Sequence, residues 1–232
     1  MGIFCLILRD MATVDDMYRQ LRLICRKNQL GSLSPNDFQD AINTAQNNYY
    51  DFLVGRIEQY RYDKPVPRVA LNMTDNVTSR LSPFLTTSAI TVSAGLAAKP
   101  ANFNKLAAII TPNNYRVYRL DYNKLPERLQ DSIDPIDEAN AFFIEDSANF
   151  IIYPSTIPTI SLTYYFAPPA LVWAYTLDGN GRPVYDAGSS VQPLWYQNDI
   201  EEIVARAAKI IGVSLQQPND VQYGESVIQK GE

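Results

Sequence analysis

The spacing of apolar residues predicts a helical hairpin over residues 13–62. The first stripe recurs every three or four positions and comprises Val14, Met17, Leu21, Ile24 and Cys25. The second stripe comprises Phe38, Ile42, Ala45, Tyr49, Phe52 and Leu53. Each helix also has a start signal. Thr13 and Asp16 predict a capping box for the first helix, and Ser34 before Pro35 predicts an N-cap for the second. Asn28 and Gly31 predict the end of the first helix, and Pro65 with Pro67 predicts that the second ends near Tyr60.

The hydrophobic period shortens after residue 66, which predicts strands up to about residue 185. Six short runs carry this signal: Ala89–Ser93, Leu106–Thr111, Tyr115–Leu120, Ala141–Glu145, Phe150–Tyr153 and Thr159–Phe166. Alternation in the third run puts Tyr115, Val117 and Arg119 on one side. Residues Asn123–Asp131 predict a short helix. Because the runs lie close together in the chain, they favour an antiparallel sheet or small barrel over parallel βαβ units.

A hairpin and a final helix are predicted in the last quarter of the chain. The turn signal Asp178–Pro183 is flanked by Trp173, Tyr175 and Tyr185, which predicts a projecting hairpin within residues 173–186. A C-terminal helix over 193–216 follows from the apolar stripe Ile200, Ile203, Val204, Ala207, Ala208 and Ile211. Asn198 and Glu201 predict its capping box, and Pro218 predicts its end.

The predicted elements combine into an α+β fold in one integrated domain. The N-terminal helical hairpin and the C-terminal helix pack together, and an antiparallel β-rich region at 66–190 is inserted between them. Residues 1–12 form an N-terminal extension and residues 217–232 a polar tail. The apolar run Ile3–Leu8 is too short to cross a membrane and lacks the features of a signal peptide, while Met11 offers a second possible start. We expect this extension to pack against a neighbouring molecule.

The composition argues against an enzyme. None of the 232 residues is histidine, which excludes Ser–His–Asp and Cys–His catalysis and every His-ligated metal site within one chain. Glycine-rich phosphate-binding motifs are absent as well. The sequence therefore predicts a structural or interaction protein without a cofactor.

The charge argues against tight nucleic-acid binding. Lys and Arg number 20 and Asp and Glu 25, for a net charge of −5, whereas phosphate binding needs a basic surface. The densest basic stretch, Arg116 to Arg128, is interrupted by Asp121 and Glu127. Cys5 and Cys25 form no disulfide framework, so a reducing cytoplasm fits best.

Three acidic groups are candidates for metal binding or catalysis. Asp178 begins a calcium-like pattern, but Arg182 and Ser189 occupy positions that require ligands, so a plain hairpin turn is favoured. The carboxylates of Asp134–Glu138 could bind a metal or form an acid–base pair, although an exposed acidic loop is favoured. Glu201 and Glu202 lie near a helix start, where the helix dipole accounts for them.

Aromatic residues supply the candidate interaction sites. Tyrosine, with 15 copies, buries a large ring while its hydroxyl stays hydrated, which suits protein interfaces as well as sheets. The candidates for assembly contacts are Ile3, Phe4, Trp173, Tyr175, Tyr185 and Trp195.

Several stretches, taken in order, resemble one family. They begin with Asn28–Gly31, Ser34, Pro35 and Phe38, then Gln46, Tyr49, Tyr50 and Pro65–Pro67. They continue with Asp134–Glu138, Trp173–Tyr175, Asp178–Asp186, Trp195 and Glu201–Ile203. Over about residues 11–215, the chain resembles neck proteins of tailed bacteriophages. The likeness is to structural proteins of short-tailed phages of Bacteroidota, including the crAss-like group. Residues before Met11 depart from the pattern.

The resemblance implies a function without catalytic residues. Such proteins form rings, commonly of twelve copies, that bind the portal, join head to tail and surround a DNA channel. It implies a virion protein made in the bacterial cytoplasm, whose partners are itself, the portal protein and adjacent neck or tail proteins. DNA would pass through the lumen without sequence-specific binding, and no membrane is involved. The alternatives are another virion component, such as a tail tube, a tail hub or a capsid accessory protein, and a host-surface-binding β module.

Overall fold

The computed structural model describes residues 12–27, 33–62, 68–131, 133–214, 222 and 225–229. The predicted α+β class is confirmed, with helices at the start, antiparallel sheets in the middle and a helix near the end. The described residues form two compact units. One draws on residues 1–83 and 168–232, and the other comprises Phe84–Ala167. The single integrated domain expected above stays a prediction.

The first unit is mainly helical. Its helices are α1 (Val14–Lys27), α2 (Pro35–Tyr62), α3 (Arg68–Leu81) and α5 (Gln197–Ser214). Helix α5 packs against both α1 and α2, and α3 packs against α2. The apolar stripes predicted for the hairpin and for the C-terminal helix supply most of this core. The packing of the N-terminal hairpin with the C-terminal helix is therefore confirmed.

Local hydrogen bonds begin the first two helices as predicted. The Asp16 N–H donates to Thr13 Oγ1 at 3.1 Å, and the Thr13 N–H donates to the Asp16 carboxylate at 2.9 Å. Ser34 caps α2 in the same manner, accepting from the Asp37 N–H at 3.1 Å. The predicted end signals at Asn28, Gly31, Pro65–Pro67 and Pro218 lie outside the described residues.

Two predictions in this unit are wrong. Residues 68–81 form α3, whereas the β-rich region was expected to begin at residue 66. Its Val and Thr content favours strands, but packing against α2 overrides that propensity and buries Val77 and Leu81 one turn apart. Helix α5 begins at Gln197, so Asn198 lies inside its first turn and is not the cap. The Asp199 and Ile200 N–H groups instead donate to the Tyr196 carbonyl oxygen.

The second unit contains two sheets. The three-stranded sheet has the order β1 (Leu85–Thr91), β7 (Thr159–Phe166) and β3 (Phe103–Ile110), and both pairs are antiparallel. The four-stranded sheet has the order β2 (Leu96–Ala98), β6 (Asn149–Tyr153), β5 (Phe142–Glu145) and β4 (Tyr118–Arg119). A buried cluster that includes Ile109, Phe150, Ile160 and Leu162 holds the unit together.

The run Tyr115–Leu120 differs most from its prediction. Only β4 is a strand, and it pairs parallel to β5. Val117 is buried while Tyr115 and Arg119 are exposed, and the common side expected for these three residues stays a prediction. The short helix expected after this run is confirmed as α4 (Leu125–Gln130). No strand was predicted at the residues that form β2.

Candidate functional site

The predicted hairpin is formed in the first unit by β8 (Tyr175–Leu177) and β9 (Pro183–Tyr185). Tyr175 pairs with Tyr185, and Leu177 pairs with Pro183. In the turn, the Asp178 carboxylate accepts 2.8 Å hydrogen bonds from the N–H groups of Asn180 and Arg182. The carboxylate that suggested calcium therefore organises the turn itself.

A buried tryptophan fixes the base of this hairpin to helix α1. Trp173 is 3% exposed, and its Nε1–H donates to Asp15 Oδ1 at 3.0 Å. Its ring lies 4.3 Å from the Tyr18 ring, centroid to centroid, and within 6 Å of the rings of Tyr175 and Tyr185. The hairpin therefore has a firmly held base.

A second link runs through Gln192. Its Nε2 donates to the Tyr185 hydroxyl at 2.8 Å, and its Oε1 accepts from the Val14 N–H at 2.9 Å. The same side chain thus joins β9 to the first turn of α1.

Beyond its base, the hairpin exposes large apolar side chains. Leu177 is 65% exposed, Val184 49% and Tyr175 41%. Because side chains alternate along a strand, Tyr175 and Leu177 share one face and Val184 lies on the other. We call these three residues the hairpin surface. A two-stranded ribbon is marginally stable by itself, so the apolar groups on its two faces are candidates for a contact with another protein.

The structure corrects two of the predicted contact residues. Both Trp173 and Trp195 belong to the core. Trp173 is buried as described above, and Trp195 is fully buried, with its Nε1–H donating to Gln46 Oε1 at 3.3 Å. Buried side chains in a folded unit cannot contact a neighbour. Tyr175 and half-buried Tyr185 stay predictions as interface residues. Ile3 and Phe4 lie outside the described residues.

A buried polar network in the helical unit had no counterpart in the sequence predictions. The Tyr49 hydroxyl donates to Asp199 Oδ1 at 2.8 Å and accepts from Arg80 Nη1 at 2.9 Å. Arg80 Nη1 is also 3.5 Å from Asp199 and 4.0 Å from Glu202, while Arg206 binds Glu202 at 2.7 Å. Two guanidinium groups thus balance two carboxylates.

The protonation behaviour of this network follows from burial. Burial raises the pKa of Asp199, although the Tyr49 hydrogen bond and Arg80 act in the opposite direction. Burial, with help from the Asp199 carboxylate, raises the pKa of Tyr49. Tyr49 therefore stays a neutral hydrogen-bond donor at neutral pH.

A polar cavity of about 330 Å³ lies beside this network. Arg80 and Asp199 line it with Asn76, Ser79, Ser82, Tyr196 and Asn198. The Ser82 and Tyr196 hydroxyl oxygens are 2.9 Å apart, so they hydrogen-bond to each other. The sequence indicated this network only through acidic residues near the start of α5. The helix dipole already accounted for acidic residues at that position.

The other acidic candidates also have structural partners. Arg128 binds the carboxylate of Asp134 at 2.9 Å, and Glu138 accepts from Asn113 Nδ2 at 2.7 Å. Within the described residues, no three Asp, Glu, Cys or His side chains are placed to hold a metal ion together. Across the same part of the chain, no helix combines the length and apolar character needed to span a membrane.

No protein-family model matches the chain, and no curated protein matches it.

Proposed function

We propose that this chain is a structural virion protein that forms an oligomeric ring in the neck of a tailed bacteriophage. The ring joins the portal and head to the tail and leaves a channel for DNA. The proposal rests on the exposure of the hairpin surface, which follows a hairpin base that Trp173 fixes to α1. A ring needs two different contact faces on each subunit, and an anchored apolar projection supplies one of them.

Two further features support the proposal. The ordered series of stretches resembles phage neck proteins over most of the chain, as described above. The net charge of −5 suits a wall past which DNA moves without adhering, because like charges repel. In this role the chain acts without catalysis or a cofactor. Its partners are further copies of itself, the portal and the adjacent neck or tail proteins.

Mass photometry of the purified protein, alone and mixed with a portal ring, tests the proposal. We expect the portal to gain the mass of a complete ring of copies. Leu177→Asp should abolish that gain, because it places a charge in the apolar contact. Asn180→Asp adds the same charge at the hairpin turn and should leave ring formation intact.

Two outcomes contradict the neck assignment. Rings or tubes formed with tail proteins, without portal binding, would move the chain to the tail. A protein that stays monomeric with every virion partner would favour a host-surface-binding module.

A further inference from the structure

Strand β1 leaves one edge of the three-stranded sheet open. Within the described residues it pairs with β7 alone, over seven consecutive positions without a register shift. Its sequence, LTTSAIT, contains no charge and no proline. Edge strands normally carry a charge, a proline or a bulge that prevents pairing with another chain. β1 has none of these, so it can accept a further strand.

The hydrogen-bond pattern identifies the backbone groups at this edge. The Val92 N–H donates to the Pro158 carbonyl at 2.9 Å, which continues the β1–β7 register. In an antiparallel pair, alternate residues bond to the partner strand, so Thr86, Ser88 and Ile90 bond to β7. The backbone groups of the other four residues point away from β7; these are Leu85, Thr87, Ala89 and Thr91.

Side-chain geometry supports the same assignment. The hydroxyl oxygens of Thr87 and Thr163 are 3.0 Å apart, the close approach expected where the two backbones do not bond to each other. The four outward residues also have exposed side chains.

Ser88, at the midpoint of β1, has a polar atom without a partner. Its Oγ is buried and makes no hydrogen bond. Because this oxygen has no access to the surface, the side chain offers a second chain no hydrogen bond, and any pairing at this edge must use the backbone.

We propose that β1 pairs antiparallel with β1 of a second copy of this chain, about a two-fold axis at Ser88. In this register Leu85 faces Thr91 of the other copy, and Thr87 faces its Ala89. All four outward residues then bond, giving about eight hydrogen bonds, two from each of four pairs. Two three-stranded sheets become one continuous sheet.

The register also places the two Ser88 backbones opposite each other. The two Ser88 residues face each other as a non-hydrogen-bonded pair, whose Cα atoms are about 4.5 Å apart. A shift by two residues would leave outward groups unpaired and separate the two serines. No charged side chain of β1 meets another across the axis.

This pairing is independent of the proposed ring, since the two copies present the same surface to each other. It can therefore be tested without a portal. Sedimentation equilibrium of the full chain should show a monomer–dimer equilibrium. Ala89→Lys should raise the dissociation constant at least about tenfold, because it places a cation in the paired edge. Thr159→Lys is the matched control, since it adds the same charge at an exposed position of central strand β7.

A cross-link tests the register. In a Cys5→Ser background, Ser88→Cys should form a covalent dimer on mild oxidation, because the expected Cα separation falls within the range of disulfides. Thr87→Cys should not, because residue 87 faces residue 89. A monomer at every concentration overturns the proposal. The proposal is also overturned if the two lysine variants have equal effects, or if Ser88→Cys forms no covalent dimer. Assembly into rings without a dimer would overturn it as well.

Discussion

The Tyr49 hydroxyl donates a 2.8 Å hydrogen bond to the buried Asp199 carboxylate, which joins the middle of α2 to the first turn of α5. Arg80, from the last turn of α3, donates to the same hydroxyl. Helices widely separated in sequence therefore meet at one carboxylate. A buried charge needs such partners, because its lost hydration must be replaced.

Tyr49→Phe should destabilise the protein by about 1–3 kcal/mol, because the variant deprives buried Asp199 of a donor and Arg80 of an acceptor. Urea denaturation followed by circular dichroism measures the change. Tyr122→Phe is the control, since Tyr122 is 72% exposed and should be neutral. A Tyr49→Phe variant as stable as the wild type would show that the hydroxyl contributes nothing to folding.

The raised pKa of Asp199 gives stability a specific pH dependence. Between the ordinary value of 3.8 and the raised folded-state pKa, the folded chain retains a proton that the unfolded chain releases. The contribution of Asp199 to stability is therefore greatest below 3.8 and is lost as pH rises through the folded-state pKa.

Asp199→Asn removes this titration. The unfolding free energy of the variant relative to the wild type should therefore increase as pH rises from below 3.8 to neutrality. Urea denaturation at a series of pH values measures this difference. Asp75→Asn, on exposed α3 surface, controls for the loss of one charge. A difference that does not vary with pH would contradict the raised pKa.

Local signals were sufficient for several elements. The capping box of Thr13 and Asp16 and the N-cap at Ser34 depend on residues three apart, and both are made. Strand β7 has the predicted bounds, because its alternating apolar residues face the buried side of the sheet. Such features need no information from distant parts of the chain.

Elements that depend on distant contacts were missed. Helix α3 is set by packing on α2, and the short length and parallel direction of β4 are set by its two-residue pairing with β5, and neither feature has a local signature. The prediction of the candidate site failed for the same reason. A tryptophan beside a turn can face solvent or the core, and Asp15, 158 positions away from Trp173, decides between them. Tyr49 and Asp199 are 150 positions apart.

Gly181→Ala should destabilise the hairpin. Gly181 has φ of +73°, in the left-handed region, where a side chain is unfavourable by about 1–2 kcal/mol. Gly179→Ala is the matched control in the same turn, where an added Cβ meets nothing within 4 Å and φ is not left-handed. Hydrogen exchange of the Asp178 and Asp186 amides, which close the hairpin ladder, should accelerate in the first variant alone. Equal exchange rates in both variants would contradict this role of Gly181.

The bond between Trp173 and Asp15 should couple the hairpin base to α1. Trp173→Phe retains an aromatic ring but removes the Nε1–H donor, while Asp15→Ala removes its acceptor along with the ion pair to Arg19. A double-mutant cycle on the unfolding free energy should therefore give a coupling of about 0.5–3 kcal/mol, because the second substitution removes a bond already lost. Pairing Asp15→Ala with Tyr122→Phe, whose side chain is 72% exposed, should give additive effects. Additivity in the Trp173 cycle as well would mean that ring packing alone holds the hairpin base.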